Sequence, residues 1–379
     1  MRARSLLLAA VLTTLPLAAA GCGDGDGDRA GDPPTTTAPA ASDPAPSDDA
    51  APDAPAITTI ARGLEVPWGI AFLPDGDALV AERPGRIVRI GARDQRLRTV
   101  RRMPGVAADG EGGLLGLAVS PRFARDRLVY AYLTTAEDNR VVRFRLDRPE
   151  AAPTPILTGL ARGAIHDGGR IAFGPDGRLY VGVGDTGDPA LAQDRDARNG
   201  KILRIAADGS IPDDNPIGGS PVWSLGHRNV QGLAWDGAGR LWASEFGQDR
   251  WDEINLIRPG RNYGWPRVEG HGTGGGAYVD PLVTWPTSEA SPSGIAIVGD
   301  QLYVAALRGE RLWRVRLPSA VRGGPTRPGR PQALLAGRLG RLRTVVAAPD
   351  GSLWIATSNR DGRGRVREGD DRIVRLAVR

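Results

Sequence analysis

Residues 169–185 read Gly-Arg-Ile-Ala-Phe-Gly-Pro-Asp-Gly-Arg-Leu-Tyr-Val-Gly-Val-Gly-Asp. Two short apolar runs flank a Pro-Asp-Gly turn signal, and polar residues alternate with apolar ones at period two. That is the pattern of a half-buried strand, a tight turn and a second strand. The unit recurs at 69–82, 116–133, 232–247, 294–307 and 343–358. Each copy except the last opens on glycine. Most are followed by a third apolar run, at 86–90, 140–145, 201–205, 253–257, 311–316 and 372–376.

Successive units start 47 to 63 residues apart. A period of about 50 residues built from strands predicts radially repeated sheets. No single twisted sheet buries both of its faces, whereas six packed around an axis do so and leave only short edges. The expected fold is all-β, a six-bladed β-propeller, with the fourth strand of each blade in the less regular connecting segments. A β-sandwich is the competing arrangement. A helical period of 3.6 is missing, so long helices are not expected.

Outside the repeats the chain changes character. Arg2 and Arg4 precede an apolar stretch from Leu6 to Ala20, too short for a spanning helix. It ends in Ala-Ala-Gly-Cys, so residues 1–21 are read as a lipoprotein signal peptide and Cys22 as the lipidated N-terminus. An ordinary secretory peptide is the rival reading. Cys22 is the single cysteine, which excludes an internal disulfide. Residues 22–56 form an acidic Pro/Ala/Asp-rich segment with no large apolar side chain, expected to be a disordered linker. Residues 57–379 then form the propeller domain. The protein is expected outside the cytoplasm, held to the membrane through its lipid alone, or secreted if Cys22 is not used.

Three of the 49 basic and eight of the 44 acidic residues precede residue 57, so the domain carries a net charge of about +10. Its arginines are spread over every segment, which argues against a nucleic-acid surface. Lys201 is the only lysine.

Propeller sites lie in loops at one end of the channel, so polar residues between strands of different repeats are the candidates. His166, in Ile-His-Asp-Gly-Gly-Arg, is a side chain suited to accept a proton near neutral pH; a structural loop histidine is the bland alternative. His227 is read as structural and His271, in a glycine-rich loop, as solvated. Asp249, Asp252, Glu253 and the Gly247 carbonyl supply the oxygen chemistry a hard cation needs, or form a solvated acidic loop. Arg308, Arg341 and Arg343 follow strands of the last two repeats, and the last two are spaced to point to one side. Converging guanidiniums bind carboxylates bidentately.

Taken in order, several segments resemble the soluble aldose sugar dehydrogenases that use pyrroloquinoline quinone (PQQ), the glucose/sorbosone dehydrogenase family. They are Val66-Pro-Trp-Gly, Gly110-Glu-Gly-Gly, His166-Asp-Gly-Gly-Arg, Gly200-Lys-Ile-Leu-Arg, Gly226-His-Arg-Asn, Asp252-Glu-Ile-Asn, Asn262-Tyr-Gly-Trp-Pro and Arg341-Leu-Arg. The resemblance implies that His166 is the catalytic base and that Arg228 and Asn229 sit near the reacting quinone carbonyl. It implies PQQ contacts from Glu111, Arg308, Arg341 and Arg343. One calcium would take the carbonyls of Gly247 and Gln248; a second, structural one would use Glu253 and Tyr263. The chain departs from the family at Glu111, where glutamine is usual, at Arg308 for lysine, and at Phe246 for a polar residue.

The implied activity is PQQ- and calcium-dependent oxidation of an aldose to its lactone, with electrons passed to an external acceptor. Two rivals are a non-catalytic cell-surface propeller that binds glycan or protein, and a calcium-dependent lactone hydrolase on a similar fold.

Overall fold

A computed structural model describes residues 56–272, 276–321, 324 and 326–378. The expected signal peptide, Cys22 and nearly all of the expected linker lie outside the described residues. Among the described residues no helix is long and apolar enough to cross a membrane.

The described chain forms six four-stranded antiparallel sheets. The innermost strands are Pro67–Phe72, Leu114–Val119, Ile171–Phe173, Val230–Trp235, Pro292–Val298 and Leu342–Ala347. Each touches the next, and the sixth touches the first, so the ring is closed. This is the expected six-bladed propeller. Two helices of four residues, Phe123–Asp126 and Ala190–Gln193, are the only ones among the described residues. Five blades take their outer strand from the connecting segment that follows, as at Leu97–Arg102. The sixth takes Ile57–Ala61 from the start of the domain, paired with Ile373–Leu376. That pairing ties the two ends of the domain together and leaves no open seam.

The glycine that opens five of the six repeats has a physical reason. A Cβ on Gly69 would stand 2.6 Å from the Leu115 carbonyl oxygen, and one on Gly232 would stand 2.5 Å from that of Ser293. Both are backbone atoms of the neighbouring inner strand. The ring is tightest at this level, and only a residue without a side chain lets adjacent strands approach. Inner strands shift register here too, at Pro67/Gly69, Val230/Gly232 and Leu342/Thr344. Such bulges re-aim the residues just before the strand. Between blades the core is aliphatic and aromatic, with Leu79, Val181, Trp242, Val304 and Ile355 fully buried. Each such side chain stabilises the fold by about 1.5–3 kcal/mol.

Lys201 is buried at the start of its strand. Its ammonium donates to the carbonyls of Leu191 (2.6 Å), Asn199 (2.9 Å) and Ala192 (3.2 Å). Three acceptors around one point suit a tetrahedral ammonium and not a planar guanidinium. That accounts for one lysine in a chain that otherwise uses arginine.

Candidate active site

The candidate residues cluster because of where they stand in the repeat. His166, Arg228, Asn229, Arg341 and Arg343 all fall just before or at the start of an inner strand, at one mouth of the channel. The Pro-Asp-Gly turns follow those strands and sit at the other mouth.

His166 has φ +59°, a left-handed conformation that aims its side chain away from the strand path. Its Nδ1 lies 2.6 Å from Asp185 Oδ1. Asp185 also accepts from the Gly187 N–H at 2.9 Å and from Trp265 Nε1 at 2.8 Å. Burial opposes the Asp185 charge, yet the bonds from His166, Gly187 and Trp265 outweigh it and hold its carboxyl below the usual range. With Asp185 ionised, the neutral imidazole carries its proton on Nδ1, and its Nε2 lone pair is then the acceptor. No hydrogen bond among the described residues uses Nε2. Asp185 and Trp265 carried no expectation of their own from the sequence. Trp265 is placed by reciprocal bonds between the amides of Gln193 and Asn262, and by its own carbonyl accepting from Gln193 at 2.5 Å.

Asp167, beside His166, is structural. Its Oδ1 accepts from Asn139 and from the Gly163 N–H. Asn229 is fully buried, with Oδ1 accepting from the Gly168 N–H at 3.1 Å and Nδ2 without a partner. Arg228 lies over the Trp265 ring at 5.4 Å and donates from Nε to Gln248 Oε1 at 3.0 Å. Burial draws its pKa down, while Asp185, Glu245 and Glu111 act the other way. His227 is the structural residue expected, buried between Ser224 and Glu245. His271 is exposed, also as expected.

A cavity of about 390 Å³ is lined by Glu111, Phe246, Arg308, Arg341, Arg343 and Arg363, among others; His166, Arg228 and Asn229 are not in its lining, and His166 adjoins it through Glu111, which accepts its backbone N–H. Arg341 and Arg343 do point to one side: both reach Asp361 Oδ2, at 3.0 and 3.5 Å. Glu111 is not an unpaired carboxylate. Its Oε2 accepts the His166 N–H at 2.9 Å and its Oε1 pairs with Arg363 at 2.8 Å. Burial would raise its pKa, but these two contacts prevail and hold it low. Four guanidiniums thus face two carboxylates, Glu111 and Asp361, a surplus that suits a polyanion. Arg363, Asp361 and Glu269 were missed in the sequence, since nothing local to them marks a site.

The loop after Glu245 is wound on Glu269. Its Oε1 accepts the N–H groups of Gln248 (2.7 Å), Asp249, Arg250 and Trp251 (each 3.1 Å). In a trans peptide the carbonyl opposes the next N–H, so the oxygens of Gly247 and Gln248 point away from Glu269. They are disposed to serve as hard-cation donors. Asp252 instead accepts from the Gly247 and Ser291 N–H groups, and Asp249 is exposed. Glu253 stands directly opposite Glu245 in the sheet, both buried. Burial first, then Glu245, pushes the Glu253 carboxyl up to about 8. Like charges so placed are costly without a cation between them. The Tyr263 hydroxyl already donates to Leu256 O and accepts from the Arg258 N–H, so its backbone carbonyl is what remains for a metal. No cluster of three or more acidic, histidine or cysteine side chains occurs among the described residues.

The model of the Glucose / Sorbosone dehydrogenase family matches residues 64–368. The chain belongs to this family. It is 31% identical over 354 residues to the aldose sugar dehydrogenase YliI of Escherichia coli, covering 83% of this chain and 92% of that one. The PQQ-bound aldose sugar dehydrogenase of Streptomyces coelicolor superposes with a TM-score of 0.81 at 51% identity, covering 86% of this chain and 99% of that one. A putative oxidoreductase (glucose dehydrogenase) of Thermus thermophilus gives a TM-score of 0.78 at 46% identity, covering 85% and 100%.

Proposed function

We propose that the protein is a PQQ-dependent dehydrogenase that oxidises aldose sugars to lactones, requires calcium, and passes its electrons to an external acceptor. The observation that carries this reading is an imidazole with one nitrogen fixed by Asp185 and the other without a partner, whose backbone is held by Glu111 in the wall of a cavity with surplus guanidinium charge. Kinship with aldose sugar dehydrogenases supports the substrate class.

In this account His166 Nε2 takes the proton of the anomeric hydroxyl, and Asp185 stabilises the imidazolium that forms. PQQ, when bound, supplies the two-electron acceptor for the hydride leaving the same carbon. Arg341, Arg343 and Arg308, which line the cavity, would hold its carboxylates. Arg228 supplies positive charge, and Asn229 an unspent N–H donor, where negative charge develops. Glu111 fixes the His166 backbone, and its pairing with Arg363 removes the repulsion a bare carboxylate would exert. The carbonyls of Gly247 and Gln248 would hold a calcium ion, and Glu253 with the Tyr263 carbonyl would hold a second, each supplying Lewis-acid or structural charge there. The enzyme works outside the cytoplasm, tethered through Cys22. Reconstitution tests the proposal: protein given PQQ and calcium should reduce a dye when supplied with an aldose. Inactivity toward every aldose tried, with both cofactors demonstrably bound, would refute it.

A further inference from the structure

The channel has a second end. On the face carrying the Pro-Asp-Gly turns, a cavity of about 300 Å³ enters between the six inner strands. Its walls include Ile70, Leu117, Ile171, Leu233, Ile295 and Val345, one aliphatic residue from each blade. At its inner end is Arg170. The residue is 8% exposed, and its guanidinium lies over the Trp68 ring at 4.2 Å. Nε donates to the Gln231 carbonyl at 2.7 Å and Nη2 to Thr344 Oγ1 at 3.0 Å. The remaining N–H groups find no acceptor among the described residues.

A guanidinium has five N–H donors and a charge that is costly to bury unpaired. No described carboxylate forms an ion pair with Arg170, and the charged side chain that acts on it, Arg343, is another cation over the same indole. Arg343 leans over the same indole at 5.9 Å, and Gln231 Oε1 takes its Nη1 at 2.8 Å. Arg343 has Asp361 in reach; Arg170 does not. Burial, then Arg343, draws the Arg170 pKa down to about 9, in the sense expected of a cation lacking its counter-charge.

We propose that Arg170 is the floor of an anion site, entered from the face opposite the candidate active site and occupied by a halide-class monovalent anion. Apart from Arg170, the side chains of the walls are all apolar and offer no donors to replace a tight hydration shell. They therefore select weakly hydrated ions: bromide, iodide and thiocyanate over fluoride. One negative charge balances the one guanidinium that lacks a carboxylate. The site is separate from the cavity beside His166, and its occupancy does not depend on the proposed activity.

Crystals of the protein soaked in bromide test this directly. The expected result is an anomalous peak within hydrogen-bonding distance of Arg170, lost when thiocyanate is added in excess. In solution, bromide at constant ionic strength should raise the melting temperature saturably, fluoride should not, and Arg170→Gln should abolish the shift. Should that variant fail to fold, the diffraction result on the unaltered protein stands alone. Absence of the peak at Arg170, or an equal bromide shift in a folded Arg170→Gln protein, would overturn the proposal.

Discussion

Two histidine–carboxylate pairs stand side by side at one mouth of the channel and differ in a single respect. In both, Nδ1 meets a buried carboxylate, at 2.6 Å for His166–Asp185 and 2.7 Å for His227–Glu245. The His227 Nε2 is also taken, by Ser224 Oγ at 2.8 Å, and its ring is stacked on Tyr263. The His166 Nε2 has no protein partner. The pair alone therefore does not make a base: the unused nitrogen does. His227 is a strut with both ends fastened, while His166 has one end fastened and one open.

Four substitutions test that contrast. His166→Ala should reduce dye-linked aldose oxidation by about 10²–10⁴-fold or more, with a smaller fall in the urea midpoint than His227→Ala, because Asp185 keeps its bonds from Gly187 and Trp265. His227→Ala should do the reverse in kind. Stripping the partner from buried Glu245 should cost about 3–5 kcal/mol of stability, read by urea unfolding. Asp185→Asn removes the charge that fixes the tautomer. It should lower kcat by about 10²-fold while PQQ affinity stays near that of the parent. Glu253→Gln replaces a carboxyl that burial and Glu245 already bias toward its neutral form. Its effect on the calcium-free fold should be small, under about 1 kcal/mol, but the rise in melting temperature on adding calcium should shrink. If His227→Ala lost activity and kept its stability, the distinction between strut and base would collapse.

The propeller was legible in the chain because its defining features are local. Period-two alternation and a turn at fixed offset survive in each repeat, and the opening glycine reports the closest approach of neighbouring inner strands. The outer strands were harder to place. Leu97–Arg102 is mostly exposed and packs one thin edge, so little selects its pattern. The last blade's outer strand comes from the far end of the domain, where no repeat marks it.

The site divides in the same way. His166, Arg228, Arg341 and Arg343 sit at fixed offsets from the repeats and in recognisable motifs. Asp185, Trp265, Arg363 and Asp361 act only through contacts that folding creates. Glu111 shows what this costs a reading by motif. In the sequence it is an anion beside an expected polyanion; in the fold Arg363, 252 positions away, pairs with it. Glu269 is similar, an ordinary acidic residue until four backbone N–H groups gather on one of its oxygens.

The central claim is that the mouth next to His166 receives PQQ, and calorimetric titration tests it most directly. With calcium present, the protein should take up one PQQ per chain, and Arg341→Ala/Arg343→Ala should weaken that binding by at least about tenfold, or 1.4 kcal/mol. No heat of binding, or equal affinity in the double variant, would contradict the account.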